Sequence, residues 1–162
     1  MEMITIREAH PNSTQEIDLI ASRMRNTLIE VLGDEKGVEL YTIEWLRERV
    51  MWHLSLANKA KVLLGENKNG QIIAQAIVRI EKDESHLAYG YFSTIYVVPE
   101  YRNRGAAKML IGNVLVWCEK KELPYVVYNT ATSNERVIHL FKKFSFTETY
   151  KSDDMVQLKK II

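Results

Sequence analysis

The sequence lacks the features of several specialised classes of protein. Its single cysteine, Cys118, cannot form an internal disulfide or a cysteine-based metal cluster. Its 22 basic residues are balanced by 21 acidic residues and interleaved with them, so the net charge of +1 leaves no basic surface for nucleic acid or an anionic membrane. No apolar run approaches the roughly 20 residues that a membrane-spanning helix needs. We therefore expect neither nucleic acid nor a membrane as a partner, and no bound metal.

A secretion signal is also missing, because residues 1–3 offer neither a basic region nor an apolar stretch. Together with the single cysteine, this makes a reducing, cytoplasmic setting the expectation. Hydrophobic residues make up 46% and charged residues 27% of the chain, proportions that are typical of soluble globular proteins. The length of 162 residues suits one domain with its own core and is short for two, so we expect a single domain over residues 1–162.

Common nucleotide-binding loops are absent as well. The sequence contains no G-x-x-x-x-G-K-[ST] motif, and Gly105 is the only glycine between Gly90 and Gly112. Loops that bind ATP, GTP or a dinucleotide cofactor depend on such glycine patterns, so the sequence disfavours these ligands.

What the sequence does contain is a strand, a short basic loop and a helix in succession. The apolar run of residues 92–98 stops at Pro99, and helical spacing resumes at Gly105. The N-terminus of a helix presents unpaired N–H groups and the positive end of the helix dipole. The loop before this helix is therefore suited to holding an anion such as a pyrophosphate.

Periodicity in the rest of the chain predicts an α/β protein built on a mixed sheet. Asn69-Gly70 is typical of a hairpin turn, which favours antiparallel pairing, whereas the strand–helix–strand order of residues 87–130 favours a parallel pair. The expected helices cover residues 17–31, 42–58, 105–121 and 134–144, and the expected strands cover residues 3–7, 60–66, 71–82, 87–98, 124–130, 146–150 and 155–160. They form a sheet of about seven strands flanked by about four helices.

The basic loop and its flanks resemble a known motif. Residues 97–110 contain Arg102-x-x-Gly105-x-Ala107 after an apolar strand, which resembles the coenzyme A pyrophosphate motif [QR]-x-x-G-x-[GA] of the GNAT-type N-acetyltransferases. Residues 125–130 and 134–146 resemble the fifth strand of that family and the helix after it, and residues 4–9 resemble its first strand. Taken in this order, the matches span nearly the whole chain.

The resemblance implies a fold, a cosubstrate and a reaction. The implied fold is a mixed, mostly antiparallel sheet in which a central parallel pair of strands splays apart. The implied reaction transfers the acetyl group of acetyl-CoA to a primary amine of a small molecule or peptide, by direct attack in a ternary complex. Two alternatives stay open, a non-catalytic module that binds or senses acyl-CoA, and an enzyme of this fold that acylates a hydroxyl or uses a longer acyl chain. Homodimers are common in the family, so a homodimer is a further expectation.

The resemblance also assigns positions that bind the coenzyme. Backbone N–H groups of the loop would surround the pyrophosphate, two arginines would add charge, and Gly105 would permit the close approach. Strand residues would bind the pantetheine amides through their backbone, and Asn134 would contact the pantetheine arm or else cap the helix that follows it. The expected coenzyme-binding residues are Ile95, Val97, Arg102, Asn103, Arg104, Gly105, Ala106, Ala107, Lys108, Asn134 and Phe141.

The catalytic groups are less evident than the coenzyme loop. Phe141 stands where many members of the family have a tyrosine that protonates the departing thiolate, so the thiolate leaves unassisted or another group supplies the proton. An alkyl ammonium with a pKa of about 10 must also lose a proton before it attacks. Our candidate catalytic residues are Tyr91, which faces inward on its strand, and Glu81 in the hairpin before it. A solvated turn is the alternative explanation for Glu81.

Acidic and aromatic residues near the first helices bear on the acceptor. Acids beside aromatic rings would suit a cationic amine. The seven-residue spacing of two tryptophans is instead typical of the core-facing side of a helix, and this interpretation is the one we favour. The residues concerned are Asp34, Glu35, Glu39, Glu44, Glu48, Trp45 and Trp52.

Overall fold

Seven strands form one sheet in the computed structural model, which describes residues 3–162. The strands are β1 Thr5–Glu8, β2 Ala60–Glu66, β3 Ile72–Lys82, β4 Ala88–Val97, β5 Tyr125–Ala131, β6 Thr147–Lys151 and β7 Met155–Ile161. Their spatial order is β1-β2-β3-β4-β5-β7-β6. Only β4 and β5 pair in parallel, and the other neighbours are antiparallel. The predicted mixed, mostly antiparallel sheet with one central parallel pair is confirmed.

Helices lie on both faces of this sheet. The α-helices are α1 Thr14–Leu32, α2 Asp34–Glu39, α3 Ile43–Ser55, α4 Ala106–Lys120 and α5 Glu135–Lys142, and short 3-10 turns cover Ala57–Lys59 and Pro99–Tyr101. The sequence patterns did not predict α2, which is only six residues long and follows α1 after a single glycine. Within residues 3–162, no helix has the length and apolar character needed to cross a membrane.

The junction of α1 and α2 depends on two glycines. The side chain of Ser13 caps α1 by accepting a hydrogen bond from the N–H of Glu16, and Gly33 ends the helix at φ +92°. Gly37 then brings α2 against α1. A Cβ atom on Gly37 would lie 2.5 Å from the Cα atom of Ile29, so only glycine permits this approach.

The sheet separates two apolar cores. The face that packs against α4 and α5, here called the α4 face, holds Phe92, Leu110 and Phe141 in its core. The opposite face, here called the α3 face, packs against α1 and α3, with Leu46 and Ile77 among its buried residues. Because side chains alternate along a strand, adjacent residues of β3 and β4 serve different faces. Function can therefore be divided between the two faces at the same point in the sheet.

The parallel pair of strands separates after a short contact. Only three residue pairs join β4 to β5, and the last of them is Phe92 with Tyr128. Beyond this pair β4 continues to Val97 alongside β3, and β5 continues to Ala131 alongside β7. A bulge accompanies the separation, because Ser93 has no partner in the register with β3. We call the resulting space between the two strands the β4–β5 opening.

The prediction that Trp45 and Trp52 face the core is wrong. They are 40% and 37% exposed, respectively, whereas the buried side of α3 consists of Leu46, Val50 and His53. A seven-residue spacing fits both sets equally well, and the side that is buried depends on how α3 packs on the sheet. The predicted helix over residues 42–58 also ends earlier, at Ser55.

The close contact at Gly37 gives a test of the fold. We expect Gly37→Ala to lower the free energy of unfolding by about 1–3 kcal/mol, because the added methyl group collides with the backbone of Ile29. Gly112→Ala in α4 is the matched control. Its Cβ atom would meet nothing within 4 Å, so the better helix propensity of alanine should raise stability by about 0.5–1 kcal/mol. Urea denaturation measures both, and a neutral or stabilising effect of Gly37→Ala would contradict this packing.

Candidate functional site

The loop between β4 and α4 has an unusual backbone. After the 3-10 turn Pro99–Tyr101, Asn103 adopts φ +63° and Gly105 adopts φ +91°. Left-handed residues alternating with ordinary ones turn successive N–H groups toward the same side of the chain, which makes a concave anion-binding surface. The space above Gly105 is open, since a Cβ atom there would meet nothing within 4 Å. The loop thus has both the shape and the room for an anion.

The start of α4 supplies the donors for this surface. The first hydrogen bond of the helix runs from the N–H of Met109 to the carbonyl of Gly105, at 3.0 Å. Within the described chain, no backbone or side-chain acceptor takes the N–H groups of Ala106, Ala107 and Lys108. Gly105 occupies the capping position and has no side chain to satisfy them. A bound anion such as a pyrophosphate would satisfy these donors and would also be stabilised by the helix dipole.

A cleft of about 340 Å³ joins this loop to the β4–β5 opening. One wall is the free edge of β4, another is formed by α5, and α1 closes the far side with Glu30 and Val31. Two of the expected coenzyme-binding residues, Arg104 and Phe141, lie outside the lining. The expected residues that line the cleft are Ile95, Val97, Arg102, Asn103, Gly105, Ala106, Ala107, Lys108 and Asn134.

Arg102 is engaged within the protein. Its Nε donates to the carbonyl of Val97 at 2.9 Å, and one terminal nitrogen donates to both carboxylate oxygens of Glu30 at 2.8 Å. This side chain therefore ties the loop to β4 and to α1. The charge that the sequence suggested for the pyrophosphate is balanced here by the carboxylate of Glu30. Two further basic residues, Arg104 and Lys108, lie in the same segment and are exposed.

Asn134 does not use its side chain as a helix cap. It occupies the residue before α5, yet no capping hydrogen bond forms, and its Nδ2 donates instead to the hydroxyl of Thr130 at 3.0 Å. Ser133, the other candidate for a cap, points to the carbonyl of Val31. The amide of Asn134 is thus held at the edge of the cleft by β5, which leaves its carbonyl oxygen available to a ligand.

Phe141 lies in the core behind the opening. Its ring is fully buried, stacks on Tyr128 at a centroid distance of 4.1 Å, and meets Phe92 edge to face at 5.1 Å. The family's tyrosine position is therefore occupied here by a core aromatic residue. Burial raises the pKa of Tyr128 to about 12, so this phenol stays protonated at physiological pH. The three rings fill the point where β4 and β5 part.

The two candidate catalytic residues, Tyr91 and Glu81, both contact Arg79 on the α3 face. The guanidinium carbon of Arg79 lies 4.3 Å from the ring centroid of Tyr91, and its Nε donates to a carboxylate oxygen of Glu81 at 3.1 Å. Tyr91 pairs with Val127 next to the opening, whereas Glu81 pairs with Tyr89 farther along the sheet. Tyr91 is therefore nearer to the opening than Glu81 is. The carboxylate of Glu81 is ion-paired with Arg79.

Asp83, in the hairpin after Glu81, has a structural role. It accepts hydrogen bonds from the N–H groups of Ser85 and Leu87, both at 2.9 Å, and from the hydroxyl of Tyr125 at 2.7 Å. The bond from Tyr125 is the main cause that lowers the pKa of this carboxyl. This carboxylate therefore stabilises the β3–β4 hairpin and ties it to β5.

Sequence reasoning missed two residues of this face, Arg79 and His53. His53 is 1% exposed, and its Nδ1 lies 2.9 Å from the carbonyl of Arg49 while its Nε2 lies 3.0 Å from a terminal nitrogen of Arg79. Because a carbonyl only accepts and a guanidinium only donates, Nδ1 carries the proton and the ring is neutral. Burial lowers the pKa of His53 to about 4, with the charge of Arg79 adding to the effect. The sequence did contain a signal for this site, because Arg79 is a charged residue within the apolar run of β3.

Comparisons with known proteins agree with this geometry. A family model described as the acetyltransferase (GNAT) family matches residues 21–146, which include the loop, both strands of the opening and α5. No curated protein matches the sequence significantly.

Several solved structures share the fold. An acetyltransferase of the GNAT family from Streptococcus pneumoniae is 21% identical, with a TM-score of 0.69 over 99% of this chain and 100% of that one. PaiA N-acetyltransferase from Thermoplasma acidophilum, solved in complex with coenzyme A, is 16% identical, with a TM-score of 0.76 over 99% of each chain. A GNAT family acetyltransferase from Listeria monocytogenes is 15% identical, with a TM-score of 0.73 over 100% of each chain. At these identities the likeness shows a common fold.

The loop geometry predicts the effect of a substitution at Gly105. We expect Gly105→Glu to reduce the affinity for coenzyme A by at least about a hundredfold, because the carboxylate would occupy the space above the unpaired N–H groups and repel a pyrophosphate. Gly70→Glu is the matched control, since Gly70 also has a positive φ, +77°, and open space around it, but lies in the β2–β3 hairpin. Titration calorimetry with coenzyme A compares the two, and equal affinities would exclude the loop as the binding site.

The neutral state of His53 predicts a dependence of stability on pH. The unfolded chain protonates this ring as pH falls below about 6.5, whereas the folded protein resists until about 4, so acid should favour unfolding. We expect His53 to remove about 2 kcal/mol of stability between pH 7 and pH 5. His53→Gln keeps an acceptor for Arg79 without titrating in this range. Urea denaturation at both pH values should therefore show a smaller loss in the variant, and an identical loss would contradict the buried neutral ring.

Proposed function

Because the chain belongs to the GNAT acetyltransferase family, we propose that it transfers the acetyl group of acetyl-CoA to a primary amine of a small molecule or peptide. The observation that carries this proposal is the β4–β5 opening, which continues through one cleft into a loop with unpaired N–H groups. The PaiA enzyme that shares the fold was solved with coenzyme A, which supports the same ligand for this cleft.

The residues of the cleft fit the parts of the coenzyme. Donors at the start of α4 suit the pyrophosphate, and Lys108 adds charge beside it. The edge of β4 that faces the opening has no strand partner beyond Phe92, so its backbone groups around Ile95 and Val97 can pair with the pantetheine amides as a strand would. The amide of Asn134 faces the same arm from the opposite wall.

When bound, acetyl-CoA would supply a thioester whose carbonyl carbon the amine of the acceptor attacks. A C–N bond forms, the C–S bond breaks, and coenzyme A leaves as a thiolate that takes up a proton. The protein's part is to polarise that carbonyl, and we propose that a backbone N–H on the free edge of β4 donates to its oxygen, because this edge has no strand partner beyond Phe92. Such a fixed donor stabilises charge that develops on the oxygen without having to reorganise. Side-chain identity matters little for this role, which explains why apolar residues suffice along this part of β4.

The amine must also lose its proton. We propose that Tyr91 relays this proton from the opening toward solvent on the α3 face, because it lies one residue from the last parallel pair. Glu81 is the more distant acceptor on that face, since it lies farther along the sheet and is ion-paired with Arg79.

Transfer is proposed to be direct, without an acetylated cysteine. Cys118 is fully buried on α4 beside Gly90, where burial raises the pKa of its thiol to about 12. A thiol in this state forms almost no thiolate at neutral pH and faces the core. The chain has no other cysteine.

Release of free coenzyme A tests the proposed reaction. We expect acetyl-CoA to be consumed only when a suitable amine is present, in a panel of amino acids, polyamines, aminoglycosides and peptides with free N-termini, and the acetylated amine to appear by mass spectrometry. Tight binding of acetyl-CoA without release for any acceptor would contradict the proposal and favour an acyl-CoA-binding module.

A substitution of Cys118 provides a second test, which asks whether transfer is direct. We expect Cys118→Ala to keep kcat within about twofold once the variant is shown to be folded, because the thiol is in the core and takes no part in transfer. Stability should fall modestly, since a buried sulfur is lost. A loss of kcat in a folded variant that still binds coenzyme A would point to an acetyl-cysteine and contradict direct transfer.

A further inference from the structure

We propose that the acceptor amine carries an anionic oxygen group, a carboxylate in the simplest case, which Arg79 and Arg49 bind on the α3 face beside the β4–β5 opening. The inference rests on the proposed acetyl transfer and names the class of acceptor. It depends on the positions and partners of the guanidinium groups of Arg79 and Arg49.

Arg79 is held rigidly but has an unused donor. Its guanidinium lies between two aromatic rings, 4.3 Å from the centroid of Tyr91 and 5.2 Å from that of Trp52, and the residue is only 9% exposed. Nε and one terminal nitrogen donate to Glu81 and His53. The other terminal nitrogen, NH2, has no hydrogen-bond acceptor among residues 3–162. Because this nitrogen is not among the buried polar atoms that lack a partner, it is open to solvent and can donate to an oxygen atom of a ligand.

Arg49 places a second positive charge next to the first. Its guanidinium carbon lies 4.1 Å from the ring centroid of Trp52 and 5.7 Å from that of Trp45. In the described part of the chain it has no carboxylate partner and makes no side-chain hydrogen bond. Burial, together with the like charge of Arg79, lowers the pKa of Arg49. Two guanidinium groups therefore share this face without a full complement of acids.

Arg49, Arg79, Glu81 and His53, here called the arginine cluster, carry charges that do not cancel. Arg49 and Arg79 are positive, Glu81 supplies one negative charge, and His53 is neutral because its Nε2 accepts from Arg79. One positive charge is left beside the aromatic rings of Trp52 and Tyr91. An anionic group would balance that charge, and a planar carboxylate matches the fork of a guanidinium.

The arginine cluster also lies close enough to the β4–β5 opening to bind part of an acceptor. Tyr91, whose ring covers Arg79, pairs with Val127 in β5, and the opening begins after the next pair. Strands in a sheet are about 4.8 Å apart, so Arg79 on β3 lies within about two strand spacings of the opening. Because the guanidinium of Arg79 extends over the ring of Tyr91 on β4, it lies closer to the opening than its own strand does, and a small acceptor can place its amine at the opening and its anionic group on Arg79. Amino acids and their short analogues have this size.

A purely cationic acceptor fits this face poorly. The acids that suggested such an acceptor, on α2 and α3, are all exposed to solvent. The guanidinium groups of Arg49 and Arg79 lie 4.1 and 5.2 Å from the ring centroid of Trp52, and these two charges would repel a polyamine. The exposed ring of Trp52 and the half-buried ring of Tyr91 would instead pack against the apolar part of an amino acid.

Ligand binding tests the inference separately from turnover. The protein saturated with coenzyme A is titrated in a calorimeter with L-amino acids as free acids, with their carboxamides, and with the matching aminophosphonates. We expect at least one free acid to bind at least about tenfold more tightly than its carboxamide, which keeps the amine but lacks the charge. Tighter binding of the aminophosphonate than of the free acid would identify a phosphorus oxyanion as the natural group.

Substitutions test which side chain of the protein binds the anionic group. Arg79→Gln should reduce the preference for the free acid over the carboxamide to about twofold or less, and Arg79→Lys should restore part of it. Because Arg79→Gln disturbs contacts in the core, Arg49→Gln serves as a second variant on a more exposed side chain. Arg47→Gln is the matched control on α3, where Arg47 is ion-paired with Asp18. All variants should bind coenzyme A with unchanged affinity.

The outcomes separate this inference from the proposed function. Failure of every free acid and aminophosphonate to bind would overturn the anionic acceptor, and so would a preference that both Arg79→Gln and Arg49→Gln leave unchanged. If free acids bind through Arg79 while no acceptor is acetylated, the anion site stands and the proposed transfer fails. If acetyl transfer occurs with equal kcat/KM for free acids and carboxamides, the transfer stands and the anionic acceptor is excluded.

Discussion

The separation of β4 from β5 is the constraint on which the rest of the site depends. Three pairs hold the strands together, and at the third the rings of Phe92, Tyr128 and Phe141 fill the space below the point of separation. The bulge at Ser93 turns β4 away from the straight course that further pairing would need. Backbone groups left unpaired on the separated strands must find other partners, and an extended ligand with amide groups can provide them.

The separated strands connect two chemically different faces of the sheet. On the α4 face, the loop and the start of α4 offer N–H groups, with Arg102 fixed by Glu30 so that the loop keeps its shape. On the α3 face, arginine and aromatic side chains surround the end of the parallel pair. Donor and acceptor can thus approach from opposite sides and meet at the same point. This division follows from the alternation of side chains along β4.

The sequence predicted the parts of this site that depend on local pattern. A strand, a basic loop with Gly105 and a helix are adjacent in the chain, so a loop with the shape to hold an anion could be predicted without tertiary contacts, and β2 was predicted with its observed bounds, Ala60–Glu66. The parts that were missed depend on distant contacts. Arg102 meets Glu30 across 72 positions, and Arg79 meets His53 across 26. No periodicity reveals such pairs, and the exposed tryptophans of α3 were missed for the same reason.

We propose that a coenzyme lies along the free edge of β4 with its pyrophosphate on the start of α4. Amide NMR spectra of the protein titrated with coenzyme A test this binding mode, since each backbone N–H reports its own contact. We expect the largest shifts at the amides of Gly105, Ala106, Ala107 and Lys108 and along residues 93–97, with small shifts in α3. Unchanged amides in the loop, with large shifts elsewhere, would contradict it.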